Sequence, residues 1–457
     1  MTIAPDPPGL PARKAALRLL DAVLRRGETL EQAGAAASRG LKGEDRALAL
    51  AIAAESLRWL PDLDALIDSA TPQRLPDDAK PRVVLRLMLA QALRLGTPAH
   101  AVIATALPLL SGGPRRLTHG VFSALLKRKA QLPAHPTLPP TVAARWELAH
   151  PGRTAAIATA LALPPPLDLS LRDAAETAQW CERLGGTTLA PGHVRLPRGT
   201  AIEALPGFAE GAWWVQDLAA SLPARLLGEG ASESGGRRAL DLCAAPGGKT
   251  LQLAAAGWRV TALDKSARRL ERLESNLARA GLTARIVTAD ALAWEPDERY
   301  DAILLDAPCS ATGTCRRHPD VLHRVAAPQI AAMAELQAAL LVRAAGWLAP
   351  GGRLIYAVCS LEPEEGEAQV AAVGLTRDPI HAAELPAGLL TPPTERCAPI
   401  PECSPKKAGW TASLSPAGRP DREPQADLTF AAKLFRRHRA RSVAAETARP
   451  AASPHRR

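Results

Sequence analysis

Residues 241–250, DLCAAPGGKT, restrict the fold of this chain more than any other stretch. An apolar lead (Ala239, Leu240, Leu242) enters it and a helical-looking run, 251–256, leaves it. A strand that ends in a glycine-containing turn and feeds a helix is a cofactor-binding device, because glycine lets backbone approach a ligand and the helix start presents free N–H groups. The next strand-like segment, VTALDKS at 260–266, ends in an acid, Asp264, 23 positions after Asp241. That is close to the ~20-residue offset of a carboxylate that holds ribose hydroxyls. Two other readings stay open on these residues. Gly248-Lys249-Thr250 imitates the end of a phosphate-binding P-loop, with ILLDAP (303–308) as its acidic strand. A P-loop, however, carries glycine where this chain has Cys243, and Pro246 stiffens the turn. The other reading is an ordinary strand-turn-helix without a ligand.

Downstream, strand and helix patterns alternate: VTALD, the helical 267–281, ARIVTAD at 284–290, YDAILLD at 300–306, a long helix over 326–348 and a strand over 352–360. Helices between parallel strands predict a doubly wound, Rossmann-like α/β sheet, whose ligands bind at the C-terminal strand ends. Asp264, Asp290, Asp306 and Cys359 all stand at such ends. One acid there is explained by helix capping; four polar residues at successive ends are not. A final strand is expected over 428–437.

Upstream the chain reads differently. Apolar residues at helical spacing over 12–27, 44–60, 81–95, 101–110 and 117–130 predict an all-α domain at 11–131, preceded by a disordered, proline-rich 1–10. Its first helix carries Arg13, Lys14, Arg18, Arg25 and Arg26 around an apolar stripe. LPAHPTLPP (132–140) is a linker, and 141–210 alternates helix-like and strand-like segments as a small α+β module. The pair Trp213-Trp214 is read as core before a helix over 218–227, so the third domain spans 211–437 and a basic, disordered tail 438–457. A net charge of +10 favours a polyanionic partner such as nucleic acid. Seven cysteines without a CxxC pair form neither a disulfide framework nor a zinc site, so no metal is expected. Neither a signal peptide nor a membrane-length apolar run is visible, and a cytoplasmic monomer is the expectation.

The most specific chemistry lies in DAPCSATGTCRRHPD (306–320) and YAVCSLEPEEGE (356–367). Each sets a cysteine just past a buried strand. Cys309 and Cys359 are 50 residues apart, one strand-helix-strand unit, so neighbouring strands bring both thiols to one crevice. A lone cysteine there is ordinarily a small core residue; Cys181, Cys243, Cys315, Cys397 and Cys403 are read that way.

These motifs resemble the Sun/Fmu family of S-adenosyl-L-methionine (AdoMet)-dependent RNA 5-methylcytosine methyltransferases. The helical front resembles the NusB-like RNA-binding domain found in the bacterial 16S rRNA type, through RKAALRLLDAVLRRGETLEQA (13–33), EDRALALAIAAESLRWL (44–60), 83–107 and THGVFSALLKRK (118–129). Carbon 5 of cytosine is a poor nucleophile, and a thiolate added at carbon 6 makes it enamine-like. The resemblance implies Cys359 as that thiolate, Asp306 as the acid stabilising the ring nitrogen, and Cys309 as the cysteine that assists product release. It puts AdoMet across Cys243, Ala244, Ala245, Pro246, Gly247, Gly248 and Lys249, with Asp264 on the ribose, Asp290 near the adenine and Asp306 also among the cofactor-binding residues. The implied substrate is 16S rRNA, naked or in an early 30S particle, with the target base out of any stack.

The chain departs from the family pattern at Ala311 and Gly366, where glycine and asparagine are usual, and at Asp168-Leu169-Ser170, which replaces an Arg-x-Asn strand. The C-terminal Gly-Phe-Phe is reduced to Thr429-Phe430. Arg316, Arg317 and His318 are RNA-contact candidates. A non-catalytic RNA-binding or assembly factor is the second function class, and an ATPase the third.

Overall fold

In the computed structural model of the chain, residues 8–231, 236–372 and 431–436 are described, with isolated positions between 378 and 386. The expectations for residues 1–7, Cys397, Cys403, Thr429-Phe430 and the 438–457 tail lie outside them.

The front of the chain is all helix: Leu10–Arg26, Leu30–Ala37, Gly43–Arg58, Leu60–Ser69, Lys80–Leu93, Ala99–Ala106 and Gly112–Lys127. They enclose one core that includes Leu19, Leu20, Ile52, Leu57, Met88 and Phe122. The first helix ends on Gly27, whose φ of 69° lets its N–H return to the carbonyls of Ala22 and Val23. The expected single run over 44–60 is instead the start of two helices. Trp59 leaves helical geometry (φ −108°, ψ 18°) and Pro61 opens the next helix, where its missing N–H costs nothing. Helix Leu30–Ala37, absent from the expected runs, starts at a capping box between Thr29 and Gln32.

The middle of the chain divides. Strands β1 (Leu167–Leu171), β2 (His193–Leu196) and β3 (Trp213–Val215) form an antiparallel sheet in the order β2-β1-β3. The tryptophans read as a lead-in to a helix are therefore the third strand; both are buried, as their core reading requires. Helices Pro140–Ala149 and Thr154–Leu161 turn away from this sheet. Their Val142, Trp146, Ile157 and Leu161 share a core with Cys315 of the 306–320 motif and with Val321 and Leu322 just after it.

The large sheet contains β4 (Arg238–Leu242), β5 (Arg259–Asp264), β6 (Arg285–Thr288), β7 (Tyr300–Asp306), β8 (Leu348–Val358) and β9 (Ala431–Arg436), in the order β6-β5-β4-β7-β8-β9. The first five are parallel and β9 closes the edge antiparallel to β8. The connecting helix Ala267–Ala280 buries Leu270, Leu273, Leu277 and Ala280 at i, i+3, i+7 and i+10, capped by Ser266 and Gly281. Chain order runs outward from β4 in one direction and from β7 in the other, so the switch point lies between them. A crevice for ligands opens outside the carboxyl ends of those two strands.

The helical front is joined to this sheet through buried donors. Arg58, 2% exposed, donates to the carbonyls of Leu161 (2.7 Å) and Arg316 (2.9 Å), and His323 Nε2 lies 2.7 Å from Leu57 O. Asp320 Oδ2 accepts from Leu30 N at 3.4 Å, and Asp62 holds Thr137 of the linker through its N–H and hydroxyl.

Candidate active site

The turn after β4 is held by backbone conformations that its sequence makes possible. Cys243 (φ 60°) and Gly247 (φ 109°) both lie at positive φ. A Cβ on Gly247 would sit 2.8 Å from Leu273 Cγ, so the glycine also allows the turn to lie against helix Ala267–Ala280. Asp264, at the end of β5 and buried, accepts from Ala245 N (3.2 Å) and Ser266 N (2.9 Å). It is thus a brace for the turn as well as the expected ribose acid; Oδ2 also faces Arg269 Nη1 at 3.4 Å, and Oδ1 keeps a second lone pair. Asp290 is exposed two residues beyond β6 and accepts from Leu292 N at 2.9 Å, without a side-chain contact to the other candidates.

Three carboxyl groups act on Cys243. Burial first, then Asp264, Asp306 and Asp241, push its thiol up to about 12, so it stays protonated, as its structural reading requires. Asp241 is fully buried; burial raises it to about 7 against the hydrogen bond from Thr250, and its Oδ1 has no hydrogen-bond partner among the described residues. This acid-rich crevice disfavours phosphate and suits a cationic ligand. Lys249 does not serve a phosphate either. Its Nζ meets Asp306 Oδ2 at 2.6 Å. Burial opposes the ammonium charge, but Asp306 outweighs burial and the pKa is raised. The ATPase reading fails on these contacts.

Cys309 and Cys359 converge, with their sulfurs 3.4 Å apart. The pair is electrostatically asymmetric. Cys359 is lowered below its ordinary value, chiefly by the hydrogen bond from Cys309 and, against burial and Asp306, by Lys249. Cys309 is pushed well up by that same hydrogen bond, by burial and by the charges of Cys359 and Glu365. Of the two, Cys359 is therefore the one that ionises more readily, with Cys309 as its hydrogen-bonded partner.

Model comparison decides what this arrangement belongs to. Residues 232–388 match the family model described as 16S rRNA methyltransferase RsmB/F, and residues 10–112 match the NusB family. A Klebsiella pneumoniae protein named ribosomal RNA small subunit methyltransferase B is 35% identical over 405 residues, covering 82% of this chain and 92% of that one. A Xanthomonas campestris protein of the same name is 35% identical, covering 80% and 87%. The chain belongs to the RsmB/F family. Like that family it is an AdoMet-dependent RNA methyltransferase with a NusB-like front domain. A solved structure titled PH0851 shares the fold, with a TM-score of 0.62 at 21% identity, over 84% of this chain and 93% of that one. The acidic crevice and positive-φ turn fit a sulfonium donor, and residues 243–249 with Asp264 would hold it. Among the described residues no helix is long and apolar enough to cross a membrane.

Other expected contact residues also have partners within the chain. Arg316 donates to Leu163 O (3.0 Å) and Arg317 pairs with Asp217 (3.5 Å). Asp168, in place of the family's Arg-x-Asn strand, is buried and receives both Nε and Nη2 of Arg195, at 2.7 and 2.8 Å. Burial alone would raise it; the Arg195 hydrogen bonds hold it well below the carboxylate range. It also accepts from Leu218 N, tying the small sheet to the helix before β4. Ala311 adopts φ 59°, ψ 24°, which explains glycine as the usual residue there. Two residues that sequence reasoning passed over are fully used: Glu362 takes Arg145 and Trp146 of the 140–149 helix, and Glu365 lies between the cysteine loops. Their signal was the acid-rich EPEEGE run itself, read only for its departure at Gly366.

Proposed function

We propose that this enzyme methylates carbon 5 of a cytosine in 16S rRNA through a covalent Cys359 adduct. The observation that carries the reading is the 3.4 Å sulfur pair, in which Cys359 is pushed down and Cys309 up. Cys359 sulfur bonds to C6, and the displaced π electrons make C5 nucleophilic while Asp306 stabilises the ring nitrogen. AdoMet supplies the methyl group taken by C5. Release then requires that the C5 proton be removed, that the C5–C6 double bond re-form and that Cys359 leave as a thiolate. Once Cys359 is bonded to carbon, the largest influence that raises Cys309, its hydrogen bond to Cys359, is gone together with the charge of that sulfur, while burial and Glu365 still act. Cys309 is then easier to ionise and is the base for the C5 proton.

Labelled AdoMet and 16S rRNA test this directly. Cys359→Ala should abolish transfer, and Cys309→Ala should accumulate an RNA-linked band on a denaturing gel. Transfer by Cys359→Ala would refute the mechanism. Mapping 5-methylcytosine in rRNA from cells with and without the enzyme identifies the target.

The RNA track we infer is the outer face of helix Gly112–Lys127. The chain has no Asp or Glu from 79 to 146. Arg116 and Lys127 are exposed on the side away from buried Thr118, Val121, Phe122 and Leu125, Arg115 is exposed at the flank of that side, and the three span about 18 Å and make no ion pair among the described residues. A polyanion is the complementary partner. Replacing all three by glutamine should flatten the salt dependence of RNA binding by about 2 in log–log slope, with AdoMet affinity unchanged; an unaltered slope removes this face from the interface.

A further inference from the structure

Glu365 is completely buried and lies outside both cysteine-bearing strands. Its carboxyl group accepts from Ser310 N at 2.7 Å, from Ser310 Oγ, from Ser360 Oγ and from Gln337 Nε2 at 3.3 Å. Ser310 follows Cys309 and Ser360 follows Cys359, so one side chain grips the residue after each sulfur. The grip is itself anchored. Gln337 Nε2 also donates to Pro308 O (2.8 Å), just before Cys309, and Tyr356 Oη donates from β8 to Glu365 O (2.6 Å). Beyond it, Leu361 N donates to Thr312 Oγ1 (3.0 Å) and Gly313 N to Cys359 O (3.0 Å). None of Glu365's hydrogen bonds reaches Asp306, Lys249 or the 243–249 turn.

We propose that Glu365 is a positioning residue that sets the spacing of the two sulfurs, and through it the balance between forming the RNA adduct and releasing it. The inference rests on the roles given above to Cys359 and Cys309. The paired register of β7 and β8 ends at Asp306 and Ala357, so past those residues the cysteine loops are located mainly by side-chain bonds. The two chemical steps depend differently on those bonds. Adduct formation needs Cys359 against C6. Release needs Cys309 at the C5 proton while Cys359 is still attached, and so needs both loops in register. Loosening the clamp therefore slows release more than addition. A residue that merely braced the fold would lower both steps, and AdoMet affinity, together.

The test is Glu365→Gln in the full-length enzyme, which keeps the volume but replaces one acceptor oxygen with a donor facing other donors. Single-turnover adduct formation on denaturing gels, steady-state methyl transfer and calorimetric AdoMet affinity are measured on one preparation. We expect AdoMet affinity to be unchanged, adduct formation to fall only slightly, release to slow roughly tenfold, and adduct to persist. A double variant, Ser310→Ala with Ser360→Ala, removes the two hydroxyl donors, leaves the carboxyl group, and should shift the balance the same way. If Glu365→Gln fails to bind AdoMet, the serine variant decides. An equal drop in both steps, or no change in their ratio, overturns the proposal. Absence of any adduct from Cys309→Ala is a separate result: it removes the release role of Cys309, and this inference with it.

Discussion

The two halves of the crevice are built by opposite means. On the β4–β5 side, the 243–249 turn is shaped by main chain: positive φ at Cys243 and Gly247, and N–H groups fastened to Asp264. On the β7–β8 side, shape comes from small side chains, with Ser310, Ser360 and Thr312 gathered around Glu365 and two sulfurs held face to face. The cofactor side therefore depends most on backbone conformation, and the reacting side most on its hydroxyl, thiol and carboxyl groups. Each half should therefore fail in its own way.

The sharpest separation comes from Cys359→Ala and Gly247→Ala. The first should lose methyl transfer by about 10⁴-fold or more while AdoMet affinity, read by calorimetry, stays at the wild-type value. Gly247→Ala should do the reverse. Its Cβ would lie 2.8 Å from Leu273 in a backbone region that alanine avoids, so AdoMet affinity should fall roughly 100-fold. If each variant harms both properties equally, the division between the halves is wrong.

Lys249 crosses the divide: it sits in the turn yet binds Asp306 and acts on Cys359. The Cys359 thiolate forms as pH rises through a pKa lying below the ordinary thiol value of 9.0, so activity should climb along that acid limb. The positive charge of Lys249 helps keep the limb low. Lys249→Met should move the limb to higher pH and lower the rate at neutral pH about tenfold, an effect seen in the pH–rate profile. A limb that stays in place would confine Lys249 to the cofactor half. The smallest effect is at Ala311, where left-handed backbone is occupied by a residue with a Cβ. Ala311→Gly should raise thermal or denaturant stability by about 1 kcal/mol with adduct chemistry intact.

The same contrast governs what could be read without a structure. The turn, the acids at Asp264 and Asp306 and the two cysteines were legible because each follows an apolar strand pattern, and parallel topology then brings strand ends together. Helices with caps and periodic stripes, such as Leu10–Arg26 and Ala267–Ala280, were legible for the same local reasons. Trp213–Val215 was not, since a strand of three residues is too short for alternation. Nor was the split at Trp59, because the apolar spacing runs through it. Glu365 and Glu362 were hidden by composition: an acid-rich run reads as a solvated turn until its partners, more than 50 residues away for Ser310 and over 200 for Arg145, are found. The departure at Asp168 was visible, but its ion pair with Arg195 needed the β1–β2 register, which pairs those two residues.

The joint between front and back has an evolutionary corollary. Arg58 and His323 fasten the two regions by pointing at peptide oxygens of Leu161, Arg316 and Leu57, never at the side chains of those residues. Every amino acid offers that oxygen. Mutation can therefore wander freely at the three receiving positions with respect to these bonds, while a change at 58 or 323 breaks the seam.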